Sequence, residues 1–499
     1  MNGRPGRVAV ILIYAAVVVW VALHHEPWRD EVVPLSIARN AHSLAELAAP
    51  LRFEGHPILW YLLLWCGYRL VGSVAVLKAA SLGCAIGGIG LLNAGPLPWW
   101  IRVPFTFSFF PVYQYSVVSR GYSLELLLLF AFCALFPRRR HHPILVALVL
   151  AGLANTEAFG LVIAVAVAGM LTVEALMDRR EPRAAVPRLA IAVFVAGLAL
   201  AAAVASPAAG HPLTGFRTGG VAHIAAAIGE AVLRPVGHAG QFAVVPAPSA
   251  WIWAYFIYLV SRPPALAFAA IGLIGIEAFF NFVYGPGAPW HVGNLVLVLV
   301  ATMWLDASGS IAEIPTLLVS VRRWLGRLLA AGAIAMLLGQ AVLAYRYIAA
   351  DVRYDYSANR RLAELLRSNP TLAGAIVTGE PDTPLWSLSY YADNRIYLAR
   401  QHVFRAWGAA GPERSTEYDL ESLLDAARRI HADCGCPVVI TLGWQLGALG
   451  TFANFAGTQF EERFTITAAA RAEFLAATTL VARLGPTLTD ENYDVYLLR

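Results

Sequence analysis

The chain of 499 residues carries little charge: Asp, Glu, Lys and Arg together make up 14% of it. Soluble domains hold about a quarter. With 58% hydrophobic residues and a mean hydropathy of +0.61, the composition excludes an ordinary soluble protein and indicates a chain that crosses a membrane many times. A broad basic face is also missing. The net charge is only +5 and the arginines fall in short clusters, so a nucleic-acid partner, which needs a cationic surface on a folded domain, is excluded. Cysteine is scarce. Cys66, Cys84 and Cys133 lie inside apolar runs, where small buried hydrophobes belong. Cys434 and Cys436 stand two apart in "HADCGCPVV", too close for an easy disulfide with each other, and with only His431 nearby they fall short of a zinc pattern. There is no internal repeat and no low-complexity tract. No small-residue cleavage site follows the first apolar run, 8–23; His24, His25, Glu26 and Pro27 do, so the run is expected to remain as a first span.

What is present is a series of such runs. A span needs about 20 apolar residues, fewer where it is short or tilted. Candidates are 8–23, 57–72, 74–94, 121–136, 143–157, 159–177, 187–205, 250–261, 264–283, 291–305 and 327–348. Basic residues in short loops set orientation. Arg4 and Arg7, "RRRHH" at 138–142, "DRREPR" at 178–183 and "RRWLGR" at 322–327 should all be cytoplasmic. The stretch 95–120 carries Pro96, Pro98, Pro104 and Pro111. Each removes a backbone donor, so a broken, re-entrant segment is expected, sheltered by protein or a watery cavity. The expectation is therefore an α-helical polytopic protein of about eleven spans plus this broken hairpin. Its N-terminus is cytoplasmic, and residues 24–56, 206–249 and 284–290 lie outside with everything after about 349. The expected location is the plasma (inner) membrane.

Residues 350–499 change character, being richer in charge. "GAIVTGE", "NRIYLA", "CPVVITLG" and "YDVYLL" read as strands. "STEYDLESLLDAARRI", capped by Ser415 or Thr416, and "ARAEFLAATTLVARL" read as helices. The sequence thus divides into a transmembrane domain, 1–349, and a small extracytoplasmic α/β domain, 350–499.

The first outer loop, 24–56, concentrates chemistry. "HHEPWRDEVVPLSIARN" sets Arg29, Asp30 and Glu31 beside the end of the first span. Ser43 and Glu46 fit a capping box, and Leu44, Leu47, Ala48 and Leu51 share a helical face, so an amphipathic helix in the membrane interface is expected. The acid pair also suits the positive end of a helix start. Glu54 and His56 return at the mouth of the second span. Acids within or beside apolar runs, which are costly unless they face a cavity, are Glu125, Glu157, Glu174 and Glu277. Glu174 lies close to the inner loop, where snorkelling accounts for it.

A first span, an outer loop with an Asp-Glu pair, interfacial helices and "EGHPI" (Glu54, Gly55, His56, Pro57, Ile58) opening the second span together resemble the GT-C glycosyltransferases. The nearer branch is that of protein mannosyltransferases and aminoarabinose transferases; Ile58 stands where that branch often has a second proline. "SRGYSLELLLL", with Arg120 and Tyr122, is similar to a later family segment whose Arg lies on the outer face. The pattern covers about residues 8–180, and the remainder agrees only in layout. The resemblance implies inverting transfer of a sugar from a polyprenyl-phosphate lipid to an acceptor (protein, lipid or glycan) outside the cytoplasm. Asp30 would then be the base and Glu31 its alternate. Arg120, His56 and Arg217 would meet the donor phosphate, with Arg234 a weaker candidate, and Arg29, Glu54, Tyr122, Glu157 and Glu277 would line the pocket. Some branches need a divalent cation (Mg or Mn), which Asp30 and Glu31 could hold through oxygen ligands. Two other readings stay open: a transporter or lipid flippase, which the broken segment and intramembrane acids suit, and a non-catalytic envelope scaffold, in which Asp30 is dispensable.

Overall fold

The computed structural model describes residues 3–177, 187–206, 220–236, 248–284, 289–311, 319–408, 413–455 and 461–499. Seven of its helices are long and apolar enough to cross a membrane, and the chain is an integral membrane protein. They are α1 (Arg4–His24), α6 (Val76–Ala94), α10 (Ala158–Met177), α11 (Arg188–Ala205), α14 (Pro263–Phe279), α15 (Pro289–Ala307) and α16 (Val319–Arg353). Shorter apolar helices lie among them: α5 (Leu59–Val71), α8 (Tyr122–Leu135), α9 (Pro143–Ala154), α12 (Gly220–Leu233) and α13 (Pro248–Leu259). Burial sorts interior from lipid-facing helices. The apolar window of α15 is 78% buried and that of α11 only 11%. What α11 does bury is small: a Cβ on Gly197 would stand 2.4 Å from Ala151 Cβ of α9, so the two backbones approach as small residues allow in membranes.

The proline-rich stretch is broken as expected. α7 (Trp99–Thr106) carries Pro104, and Pro111 sits in a π-helical turn, Phe110–Gln114. The following residues to Gly121 are buried turns, and α7 packs against α16. The expected long outer loop 206–249 differs: its described part contains the apolar helix α12.

Residues 24–56 form three short helices: α2 (Arg29–Asn40), α3 (Leu44–Ala48) and α4 (Leu51–Glu54). Ser43 Oγ accepts from Glu46 N at 3.2 Å, as a capping residue should, and Glu46 Oε2 reaches the N–H of His42 at 2.9 Å. Leu47 and Leu51 are fully buried, whereas Leu44 is exposed and leaves the expected face.

The C-terminal part holds two sheets. The larger runs β3 (Val403–Phe404), β2 (Ile396–Leu398), β1 (Ile376–Glu380), β5 (Val438–Leu442), β9 (Tyr493–Leu498), β8 (Thr478–Leu484). β1 is parallel to both neighbours, and β9 is antiparallel to both of its own. In the smaller, β7 (Glu461–Ile466) lies between β4 (Glu417–Asp419) and β6 (Gly450–Phe455). A buried ionic cluster ties the sheets together. Arg400 grips Glu380 at 2.6 and 2.9 Å, and Arg414 bridges Asp382 at 2.5 Å to Glu462 of β7.

Two helix expectations need correction here. The segment "ARAEFLAATTLVARL" splits, α20 (Ala468–Ala477) ending where β-branched Thr478 and Thr479 open β8. α19 (Leu420–Cys434) is capped by Asp419, whose Oδ1 accepts from Ser422 N at 2.7 Å; Ser415 precedes β4, and Thr416 and the residues after it pair with β7 instead. Cys434 and Cys436 are also joined, contrary to the spacing argument. Gly435 takes a left-handed φ of 64°, ends α19 there, and leaves the two Cα atoms 5.2 Å apart, within disulfide reach.

Candidate active site

The site begins with the N-terminus of α2. Trp28 is the N-cap, and Glu31 reaches back to accept from its N–H at 3.3 Å, placing both acids in the first turn at the positive end of the helix. The two carboxylates then part company. Glu31 is wholly buried: Oε1 also meets His25 Nε2 at 2.9 Å, and Oε2 accepts from Ser119 N at 2.5 Å. His25 Nδ1 contacts Asp351 Oδ2 at 2.8 Å, and that oxygen accepts from Tyr113 Oη at 2.9 Å. Asp351 reaches this level because α16, 35 residues long, spans roughly 52 Å at 1.5 Å per residue and so exceeds the ~30 Å hydrocarbon core. Lys78, the chain's single lysine, donates to the carbonyls of Ala22 and His25 at 2.6 and 2.7 Å and fixes the turn that presents His25.

Asp30 is left partly exposed, its side chain 29% accessible. Arg120 Nη1 donates to its Oδ2 at 3.2 Å, and Arg29 Nε lies 3.8 Å from its Oδ1. Aromatic rings hold both guanidiniums. Arg29 lies 5.0 Å from the Trp28 ring, and Arg120 lies 5.2 Å from Trp290 and 5.4 Å from Tyr122. Trp28 meets Trp290 edge-on at 6.0 Å. His56 Nδ1 contacts Glu157 Oε2 at 2.8 Å; burial alone would lower the His56 pKa, but Glu157 outweighs it and raises it. Glu157 Oε1 faces Gly121, where an added Cβ would stand 2.4 Å from it, so a side chain there would displace the acid. Glu54, at the end of α4, is pushed up to about 7 by burial, with Asp30 adding and His56 and Arg120 opposing.

Of the residues singled out from sequence, Asp30, Arg29, Arg120, Tyr122, His56, Glu157 and Glu54 therefore lie in one neighbourhood. Glu31 is close in sequence but is committed to a separate buried network. Glu277 is buried at the end of α14, and Arg217 lies outside the described residues. Glu174 pairs with Arg139. Sequence reasoning missed Asp351, Tyr113, Trp290 and Lys78. Only Lys78 and Asp351 left a trace, as a lone lysine opening one apolar run and an acid closing another.

The C-terminal part seals this region. Arg29 Nη1 donates to Asp490 at 2.5 Å, its backbone N–H to Glu491 at 2.9 Å, and Tyr391 Oη to the Pro27 carbonyl at 2.8 Å. Four titrating groups outside the spans, Glu54, Glu380, Glu491 and His25, shift in the same direction. Burial pushes Glu54, Glu380 and Glu491 up to about 7. Burial opposes a charged His25, yet Asp351 and Glu31 prevail and push it up to about 10. The folded chain thus keeps protons that the unfolded chain releases, carboxyls between about pH 4.5 and 7 and His25 between about 6.5 and 10. Stability should fall as pH rises through both windows. The expected result is a lower thermal midpoint at pH 9 than at pH 5.5 in the same detergent and salt; a midpoint that rises would contradict these protonation states.

No protein-family model matches the sequence, and no curated protein does. Two solved structures share its fold. ArnT from Cupriavidus metallidurans bound to undecaprenyl phosphate is 14% identical, with a TM-score of 0.50 over 99% of this chain and 98% of that one. The same protein in the apo state is 12% identical, with a TM-score of 0.52 over the same shares. The likeness is one of fold.

Proposed function

We propose that this chain, which has the GT-C-like fold of those structures, moves a sugar from a polyprenyl-phosphate carrier to an acceptor outside the cytoplasm. The observation that carries this reading is the arrangement at Asp30: a partly exposed carboxylate on the first loop, met by Arg120 at 3.2 Å and flanked by Arg29. That undecaprenyl phosphate binds one structural neighbour supports a lipid carrier of this class. The basic loops support an N-terminus in the cytoplasm and an outer position for residues 24–56 and a domain 350–499.

The chemistry follows from these side chains. An acceptor hydroxyl attacks the anomeric carbon while the bond from that carbon to the phosphate oxygen breaks. Asp30 takes the hydroxyl proton, and polyprenyl phosphate leaves with the bonding electrons. One direct displacement inverts the sugar carbon. Arg120, and His56 when protonated, offset the charge gathering on the phosphate. A donor phosphate would exchange for the Arg120–Asp30 contact, freeing the Asp30 oxygen for the acceptor as Arg120 turns to the anion. Glu31 does not share the base role, because its oxygens are taken by His25, Trp28 N–H and Ser119 N–H.

The side chains do not suit a divalent cation. Asp30 already faces two guanidiniums, which repel one, and among the described residues no group of three or more His, Cys, Asp or Glu is gathered to hold a metal. Turnover is accordingly expected to survive EDTA; loss on chelation and recovery with Mg or Mn would overturn this. The overall test is release of polyprenyl phosphate by purified protein in nanodiscs offered a panel of polyprenyl-phosphate sugars with and without soluble acceptors. Absence of both release and binding across the panel would return the transport and scaffold readings.

A further inference from the structure

A cavity of about 660 Å³, not lined by Asp30, lies between the C-terminal end of α2, helices α3 and α4, and the β2–β3 edge of the larger sheet. Its volume falls in the range of small-ligand sites. It begins at Ile37 and Asn40 of α2, roughly 10–15 Å along that helix from Asp30. Arg395 and Arg405 line it, both exposed, and among the described residues neither pairs with a carboxylate. Glu46, the lining acid, is turned to the His42 N–H. Trp407 and Phe404 add aromatic surface, with the Arg395 guanidinium lying 4.0 Å from the Phe404 ring. Asn40 and Asn394 use their Nδ2 groups on the carbonyls of Ser36 and Ala375, leaving Oδ1 to accept hydroxyl protons.

We infer that this groove binds an acidic saccharide, the part of the acceptor that lies beyond the hydroxyl being glycosylated. The inference rests on the transferase reading above. Each component matches one feature of such a ligand. Aromatic surface suits the C–H face of a pyranose, amide oxygens suit its hydroxyls, and two guanidiniums without a carboxylate partner among the described residues suit a carboxylate or phosphate. The groove shares α2 with Asp30, so an extended acceptor lying along that helix would reach both. A peptide fits less well. β3 has only two residues, so the edge is too short for strand addition.

The test is calorimetric titration of the full chain in zwitterionic nanodiscs with three probes: tetragalacturonate, trehalose 6-phosphate and a neutral galactose tetramer. The two acidic probes carry the anion as carboxylate and as phosphate. At least one of them should bind about tenfold or more tightly than the neutral tetramer, and the preference should vanish in R395Q/R405Q. It should also weaken with salt. Equal binding of the neutral tetramer, unchanged affinity in the double variant, or no binding of any probe would overturn the inference. An unchanged thermal midpoint shows that the double variant is folded. Binding is read without turnover. A chain that binds the acidic probe yet releases no polyprenyl phosphate from any donor would keep the groove and lose the transferase reading. Release without selective acidic binding would do the reverse.

Discussion

Asp30→Asn is expected to lower turnover by roughly 10²–10⁴-fold, the usual contribution of a positioned general base, and to leave the thermal midpoint almost unchanged. The two halves have separate causes. The amide keeps the size and the first-turn position of the acid but cannot take a proton from an acceptor hydroxyl. What it gives up structurally is the charge in its contacts with Arg120, which is buried, and with Arg29; the amide oxygen can still accept from Arg120, so the loss is held to about 1 kcal/mol. Polyprenyl-phosphate release and a thermal melt on the same preparation read both. Turnover kept at the wild-type rate would remove Asp30 from the chemistry; a collapsed melt would make it structural instead.

Much of this site could be read from sequence because membrane crossing constrains the chain so strongly. Long apolar runs and four prolines in 95–120 made the polytopic helical class and the broken segment legible, since backbone polar groups in lipid leave few alternatives. The acid pair stood out against 14% charged residues. Less legible was which acid does what. Asp30 and Glu31 are neighbours, and only tertiary contacts from His25, Ser119 and the far end of α16 bury one and leave the other outside. Contacts over 326 residues, as between His25 and Asp351, leave no local pattern. The C-terminal sheets were half seen for a related reason. Buried strands such as β1 and β5 announce themselves as apolar runs. β4 has three residues and β3 two, and each depends on a partner that periodicity does not reveal. The Cys434–Cys436 bridge turned on the left-handed Gly435, a backbone state that composition does not specify.

The counterpart to Asp30→Asn is Glu31→Ala, in which the fold should fail first. Glu31 holds three groups at once: the charged imidazole of His25, the cap N–H of Trp28 and the N–H of Ser119, all within 3.3 Å. Removing it strands a buried cation beside one remaining partner, Asp351, and orphans two backbone donors. Breaking a buried pair in this way costs about 3–5 kcal/mol. Because Ser119 precedes Arg120, and Trp28 precedes Arg29, the damage passes directly to both guanidiniums that face Asp30. Glu31→Gln keeps the size of the side chain and one oxygen acceptor, enough for the N–H of Trp28 or of Ser119 but not for both, and should be milder. The measurement is the thermal midpoint of each variant together with turnover per folded molecule. A large fall in midpoint for Glu31→Ala, a smaller one for Glu31→Gln, and loss of activity that tracks folding would mark Glu31 as the residue that positions the loop. A normal midpoint with turnover as low as that of Asp30→Asn would instead move the base to Glu31. The two adjacent acids would then have exchanged roles.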